Sequence, residues 1–141
     1  MNRSRHTAFI KQTAASLGFS FCGIAKAQRL DEDARRLEKW LQQGMNGTMG
    51  YMENYFDLRT DPTRLVPGAK SVITLLTNYF PEQQQEENAP KISKYAWGKD
   101  YHEVIKDKLK QLLALIKESV GEVNGRGFVD SPPVLEQIGR A

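Results

Sequence analysis

Apolar positions recur at helical spacing in three parts of the chain and alternate or run together in others. Phe9, Ile10, Ala14 and Leu17 share one face of a helix that Ser4 can cap and Gly18 stops. Phe19 to Ala25 (FSFCGIA) reads as a short buried strand. A second helix opens at Asp31, carries Leu37, Trp40 and Leu41 on its apolar side, and ends at Gly44. The next stretch is less regular. Glycines and methionines precede a helical turn through Met52 to Phe56, and the methionines are read as gap-fillers.

Asp61-Pro62 and Val66-Pro67-Gly68 mark turns. Lys70 to Tyr79 (KSVITLLTNY) is the strongest strand pattern, β-branched and apolar enough to be central in a sheet. Pro81 to Pro90 (PEQQQEENAP) has one apolar residue besides its prolines, Ala89, and reads as an exposed loop. Ile92 to Trp97 is β-capable and runs through Gly98 into Asp100, which with Glu103 forms a capping-box pattern. Ile105, Leu109, Leu112 and Ile116 then repeat along a helix to about Val120, with Lys106, Lys108, Lys110 and Lys117 as its solvated side. Gly125-Arg126-Gly127 leads into a last strand, Phe128 to Asp130, stopped by Pro132 and Pro133. This alternation argues for an α/β or α+β domain, a mixed sheet flanked by helices, with residues 1–141 forming a single domain.

Composition narrows the function classes. The chain is 40% hydrophobic and 26% charged, ordinary for a globular protein. A net charge of +3 from 20 basic and 17 acidic residues, with dispersed lysines, gives little support to a plain RNA-binding module. Apolar runs such as Val72 to Leu76, itself broken by Thr74, are far too short to span a bilayer, so no membrane partner is expected. MNRSRHTAFIKQ lacks an export signal's apolar run, and the cytoplasm is the default compartment. The single cysteine, Cys22, excludes an intrachain disulfide and a cysteine-held zinc or iron–sulfur site within this chain. Set among Phe19, Phe21 and Ile24, it reads as a buried, inert thiol. His6 and His102 match no metal-ligand spacing, and no metal ligands are assigned.

The most suggestive local chemistry is the corner from Ile92 to Ile105. Tyr95, Trp97, Tyr101 and His102 crowd around a strand-to-helix junction whose first turn presents backbone N–H groups. Such a corner suits a flat or anionic ligand, and equally a capped helix with aromatics packed beneath it. Asp130, after apolar Phe128 and Val129, suits either a buried carboxylic acid or a cap on the turn through Ser131.

Five collinear blocks resemble the N-terminal part of the epoxyqueuosine reductase family: LGFSFCGIA from Leu17, WLQQGMNGTMGYM from Trp40, RTDPTRLVPGAKSVI from Arg59, ISKYAWGKDYHEVIKDKL from Ile92 and GRGFVDSPPVLE from Gly125. The resemblance implies an oxidoreductase of queuosine biosynthesis that reduces the epoxide of epoxyqueuosine in tRNA to queuosine. It implies a cobalamin-binding domain related to that of reductive dehalogenases, of which this chain would be a portion. Two 4Fe–4S clusters and an external electron donor would supply electrons, with the cluster ligands in a cysteine-rich segment beyond this chain. The chain would then be a fragment, inactive alone, and a stand-alone corrinoid-binding module without redox activity is the alternative. Its oligomeric state is left open.

Residue roles carry over from the same blocks. Asp130, in the VDS block with Ser131, matches the family's proton donor. Arg59, Tyr95, Ala96, Trp97, Gly98, Tyr101, His102 and Ser131 would meet the cofactor, Gly98 by letting the backbone come close. His102 is not placed on the cobalt, and Arg64 is read as a surface ion-pair partner. Pro132 and Gln137 depart from the family pattern, which has a small residue and a basic residue there.

Overall fold

A computed structural model describes residues 3–78, 86–93, 100–121 and 123–129 of the protein. The described chain forms two compact units, one built from residues up to Ile24 and from Ile73 onward, the other from Ala25–Val72. The elements in order are helix α1 (Arg3–Ser16), strand β1 (Phe21–Lys26), helix α2 (Asp31–Gln42), a 3-10 turn (Gly50–Glu53), short helices α3 (Phe56–Thr60) and α4 (Pro62–Leu65), strand β2 (Ser71–Leu76) and helix α5 (Tyr101–Val120).

In the first unit, α1 and α5 pack through a cluster of Ala14, Phe19, Leu112 and Ile116, joined by half-buried Ile10, Leu17, Ile105 and Leu109. The end of α1 builds part of this cluster. Gly18, at φ 95°, takes the left-handed conformation that ends a helix at least cost. Its N–H donates to Ala15 O at 3.0 Å, and the Phe19 N–H donates to Ala14 O at 3.1 Å. These are the paired bonds of a Schellman motif, which turns Phe19 back onto Ala14. Helix α1 is already formed at Arg3, so Ser4 lies within it and is not its cap.

Lys108 departs from the solvated face expected of the α5 lysines. It is half-buried, with Nζ 5.8 Å from the centroid of the Phe19 ring. Its stem covers apolar surface while its charge meets the ring face.

The second unit is organised by α2. Ala34 and Leu37 are buried beneath it, and Asp31, Glu32 and Asp33 fill its first turn, where carboxylates complement the helix dipole. Asp31 is the first helical residue, while Leu30 occupies the cap position and its N–H donates to Thr60 O at 2.7 Å. Thr60 is fully buried, its hydroxyl donating to Phe56 O at 2.9 Å.

The sheet is smaller than expected. Strands β1 and β2 form a two-stranded antiparallel pair, bracketed by bonds from Ser20 N–H to Leu76 O and from Ala27 N–H to Lys70 O. Among the described residues β2 has one partner rather than two, and Ser71, Thr74 and Leu76 on it are exposed. Its β-branched run reflects a half-covered strand, not a central one. The expected final strand is absent from the described residues: Val123 to Val129 enters no ladder and lies against α5. The architecture is therefore α+β, helices with a small antiparallel sheet, in place of the expected mixed sheet.

Leu112 is 4% exposed and Leu115, one turn-face away on the same helix, is 37% exposed. Leu112→Ala is expected to cost about 2–5 kcal/mol in a denaturant titration, and Leu115→Ala far less. Equal costs would mean that α5 does not present this face to the core.

Candidate functional site

The start of α5 is held by its own residues. Asp100 is the cap, and its Oδ1 accepts from the His102 backbone N–H at 3.0 Å. The same oxygen lies 3.0 Å from His102 Nδ1. Both bonds hold the Asp100 carboxyl below the usual carboxylate range, the backbone N–H more than the ring. An ionised carboxylate only accepts, so Nδ1 carries the hydrogen of this bond. The Tyr101 and His102 rings lie 4.0 Å apart between centroids, at an interplanar angle of 30°. The free N–H groups expected of this corner are thus corrected at His102, whose N–H already meets a carboxylate. What remains is a half-buried aromatic pair at a helix start.

Arg59 belongs to the other unit and grips its own loop. Its Nε donates to Asn54 O at 3.0 Å and its Nη2 to Tyr51 O at 3.5 Å. Directly after Asn54, Tyr55 sits at φ 57° and ψ 34°, a left-handed conformation that costs a non-glycine residue about 1 kcal/mol or more. The Arg59 clasp offsets that strain. Tyr51 and Tyr55 on the gripped loop are exposed, as are Met45 and Met49 before it, which corrects the gap-filling reading of those two methionines. Arg64 makes ion pairs of 3.7 Å with Asp57 and with Asp61, as its reading as a surface partner expects.

The structure brings Tyr101 and His102 together and describes Arg59 in its own loop. Tyr95, Ala96, Trp97, Gly98, Asp130 and Ser131 lie outside the described residues. Among the described residues no group of three or more histidine, cysteine, aspartate or glutamate side chains could hold a metal ion, and no helix is long and apolar enough to cross a membrane. Cys22 is half-buried, and burial pushes its thiol up, away from reactivity.

One residue that the sequence reading left as a turn has a larger part in the fold. Asp61 caps α4, accepting from Thr63 N–H at 3.0 Å and from the Thr63 hydroxyl at 2.5 Å. An aspartate followed by proline at the first helical position and a threonine beyond it is a legible cap signature.

Comparisons with known proteins bear on what these residues serve. The family model described as epoxyqueuosine reductase QueG, DUF1730, matches residues 59–131, just over half of the chain. The chain belongs to that family. An epoxyqueuosine reductase of Cyclobacterium marinum is 56% identical over 135 residues, which cover 94% of this chain and 44% of the relative. The chain thus spans less than half the length of that relative. A crystal structure of epoxyqueuosine reductase with an epoxyqueuosine-modified tRNA-Tyr stem loop matches with a TM-score of 0.77 at 26% identity, covering 95% of this chain and 36% of that one. The Bacillus subtilis epoxyqueuosine reductase, solved with an aspartate-bearing catalytic loop swung out of the active site, matches at 0.66 and 27% identity over 83% of this chain and 32% of that one. The match spans the RTDP turn, the start of α5 and the VDS block in one continuous family segment.

The Asp61 carboxyl is held below its usual range, first by the Thr63 hydroxyl and then by the Thr63 N–H, Arg64 and Arg29. A depressed folded-state pKa gives stability that is present above the unfolded value, about pH 4, and is lost as pH falls through the folded value. Asp61→Asn is therefore expected to lower the denaturation midpoint near neutral pH. Its gap from the parent should narrow as the solution is acidified below about pH 4. A gap that stays constant or widens on acidification contradicts the cap's charge.

Proposed function

We propose that this chain is part of the cobalamin-binding region of an epoxyqueuosine reductase, in which the epoxide of epoxyqueuosine in tRNA is reduced to queuosine. The observation that carries the proposal is the family match across residues 59–131, supported by 56% identity to the Cyclobacterium marinum enzyme. The tRNA stem loop bound by a structural relative supports RNA as the substrate carrier. Treating residues 1–141 as one portion of a single cobalamin-binding domain belongs to the same proposal.

The two cofactor groups fare differently against this chain's residues. A 4Fe–4S cluster does not fit, because it needs several thiolates and the chain has one cysteine, half-buried Cys22. Cluster ligands and the site of the external electron donor are therefore assigned outside it. A corrin fits the start of α5 in kind. The close, tilted Tyr101 and His102 rings offer aromatic surface, and phenol and imidazole suit a macrocycle rimmed with amides. Tyr95, Ala96, Trp97 and Gly98, just before α5, and Ser131, in the VDS block, would complete this side. His102 is assigned to the corrin rim and not to the metal, and Asp100 fixes the orientation of its ring through Nδ1. Arg59, whose Nε and Nη2 donate to the carbonyls of Asn54 and Tyr51, would meet the cofactor with its remaining donors. When bound, cobalamin supplies the low-potential electron pair that the reduction requires.

The chain's own chemical contribution is a proton. Opening an epoxide with two electrons leaves negative charge on the oxygen, and an acid beside it lowers the barrier. Asp130 is assigned this role. It follows buried Val129, and a carboxyl kept from water holds its proton nearer neutral pH. The catalytic aspartate loop of the Bacillus subtilis relative supports an aspartate in this part.

The test joins this chain to the remainder of the Cyclobacterium marinum relative. In that chimera Asp130→Asn should leave corrin absorbance unchanged and slow turnover of a modified stem loop by about 100-fold or more. Turnover close to the parent's removes Asp130 from the role. Titrated with cobalamin by itself, the 141-residue chain should bind weakly, since the proposal assigns part of the pocket to the rest of the enzyme. Tight, stoichiometric binding without turnover in the chimera would favour the corrinoid-binding module instead.

A further inference from the structure

Tyr55 is the one non-glycine residue at positive φ among the described residues, at φ 57°. Three carbonyls of its loop are held by a single arginine. Arg59 Nε donates to Asn54 O at 3.0 Å, Nη2 to Tyr51 O at 3.5 Å, and the Arg59 backbone N–H to Tyr55 O at 2.9 Å. The Asn54 N–H donates to Tyr51 O at 3.1 Å and closes the loop. A strained backbone persists only where its surroundings over-determine it, and these bonds do so. The strain gains the fold little burial. Tyr55 is 66% exposed, and a glycine would take the same backbone position without the penalty. What tyrosine adds here is a ring presented to something outside the chain.

The chemistry of the loop narrows what that is. Glu53 and Asp57 stand two residues to either side of Tyr55, and both are exposed, so no track for phosphates is built here. The apolar surface is also small. Met45, Met49, Tyr51 and Tyr55 are exposed, whereas Met52, Phe56 and Leu58 are half-buried, and a stable protein interface needs a broader face. A nucleobase fits both limits. Its π-face is uncharged, and one tyrosine ring is enough to stack on it. In RNA the bases open to such a contact are the unpaired ones of a loop. On the reading of Arg59 as a cofactor contact, the loop that it clasps also borders the place to which an RNA must bring its epoxide.

We propose that Tyr55 is a binding residue for the substrate RNA, its ring stacking on an unpaired base of the stem loop, and that Arg59 is the positioning residue that holds it in the strained conformation. This rests on the reading of the chain as part of an epoxyqueuosine reductase that acts on tRNA. Tyr55 serves the binding of RNA and takes no part in the proton transfer.

Two measurements test this. In the 141-residue chain, Tyr55→Gly should leave the denaturation midpoint unchanged or raise it, because the strain goes and little buried surface is lost. Arg59→Ala should lower the midpoint, and lower it less in the Tyr55→Gly background, where the clasp has no strain to offset. In the chimera, Tyr55→Gly should raise KM for the modified stem loop by about fivefold or more, with kcat within about twofold and corrin absorbance unchanged. Tyr55→Phe keeps the ring and should hold KM within about twofold of the parent's. The ratio of KM between Tyr55→Gly and the parent should be the same at low and high salt, since a stacked base releases no counterions. A lower midpoint for Tyr55→Gly in the 141-residue chain makes the ring a structural part and overturns the proposal. Absence of coupling between Arg59 and Tyr55 overturns the positioning role. An unchanged KM overturns the RNA contact, and if the chimera alone is then destabilised, the rest of the enzyme covers Tyr55 instead. A parent chimera that does not turn over the stem loop takes down the functional reading and this inference with it. Turnover by the parent with an unchanged KM in Tyr55→Gly ends this inference alone.

Discussion

The contact on which the first unit depends is the seat of Phe19 and Ala14 against Leu112 and Ile116. It is made by a turn. Without the left-handed Gly18 the chain would leave α1 in another direction, and Phe19 would not fold back onto the helix it follows. Strand β1 begins two residues later, so the direction of the sheet is also set at this corner. Lys108 closes the arrangement from α5, its charge over the Phe19 ring. One face of α5 thus receives the end of α1, while Leu109 and Leu113 receive the glycine segment that leads to the VDS block.

Carboxylates hold the helix starts in both units. Asp100 closes on His102, and Asp61 closes on Thr63, each drawing its charge toward backbone N–H groups that a helix start leaves unpaired. Both lie in blocks that carry the family resemblance. In RTDP the aspartate caps a helix, the threonine before it is buried, and the arginine clasps the loop behind. That block therefore shapes the backbone in this chain.

Membership in the epoxyqueuosine reductase QueG family joins these parts into one account. The chain matches 44% of the length of the Cyclobacterium marinum enzyme. The start of α5 carries a close, tilted aromatic pair, Tyr101 and His102.

The sequence by itself determined whatever depends on neighbours along the chain. Helical spacing located α1, α2 and α5 to within one or two residues. Gly18 and Gly44 marked stops where the backbone does turn left-handed, and Asp100 marked the cap of α5. The blocks around Arg59 and Tyr101 were enough to name the family. Tertiary structure decided the rest. The strand pattern at Ser71–Leu76 shows that a residue prefers an extended, half-covered place, and says nothing about how many neighbours the strand has. The same limit applies to Phe128 and Val129, which read as a strand and enter no ladder among the described residues, although Val129 is buried. Arg59 read as a cofactor contact from its family block, and only the structure shows its Nε and Nη2 donating to the carbonyls of Asn54 and Tyr51. Gly125 and Gly127 gave no signal at all, since their need for space comes from leucines a dozen or more residues away on α5, and only folding places those against them.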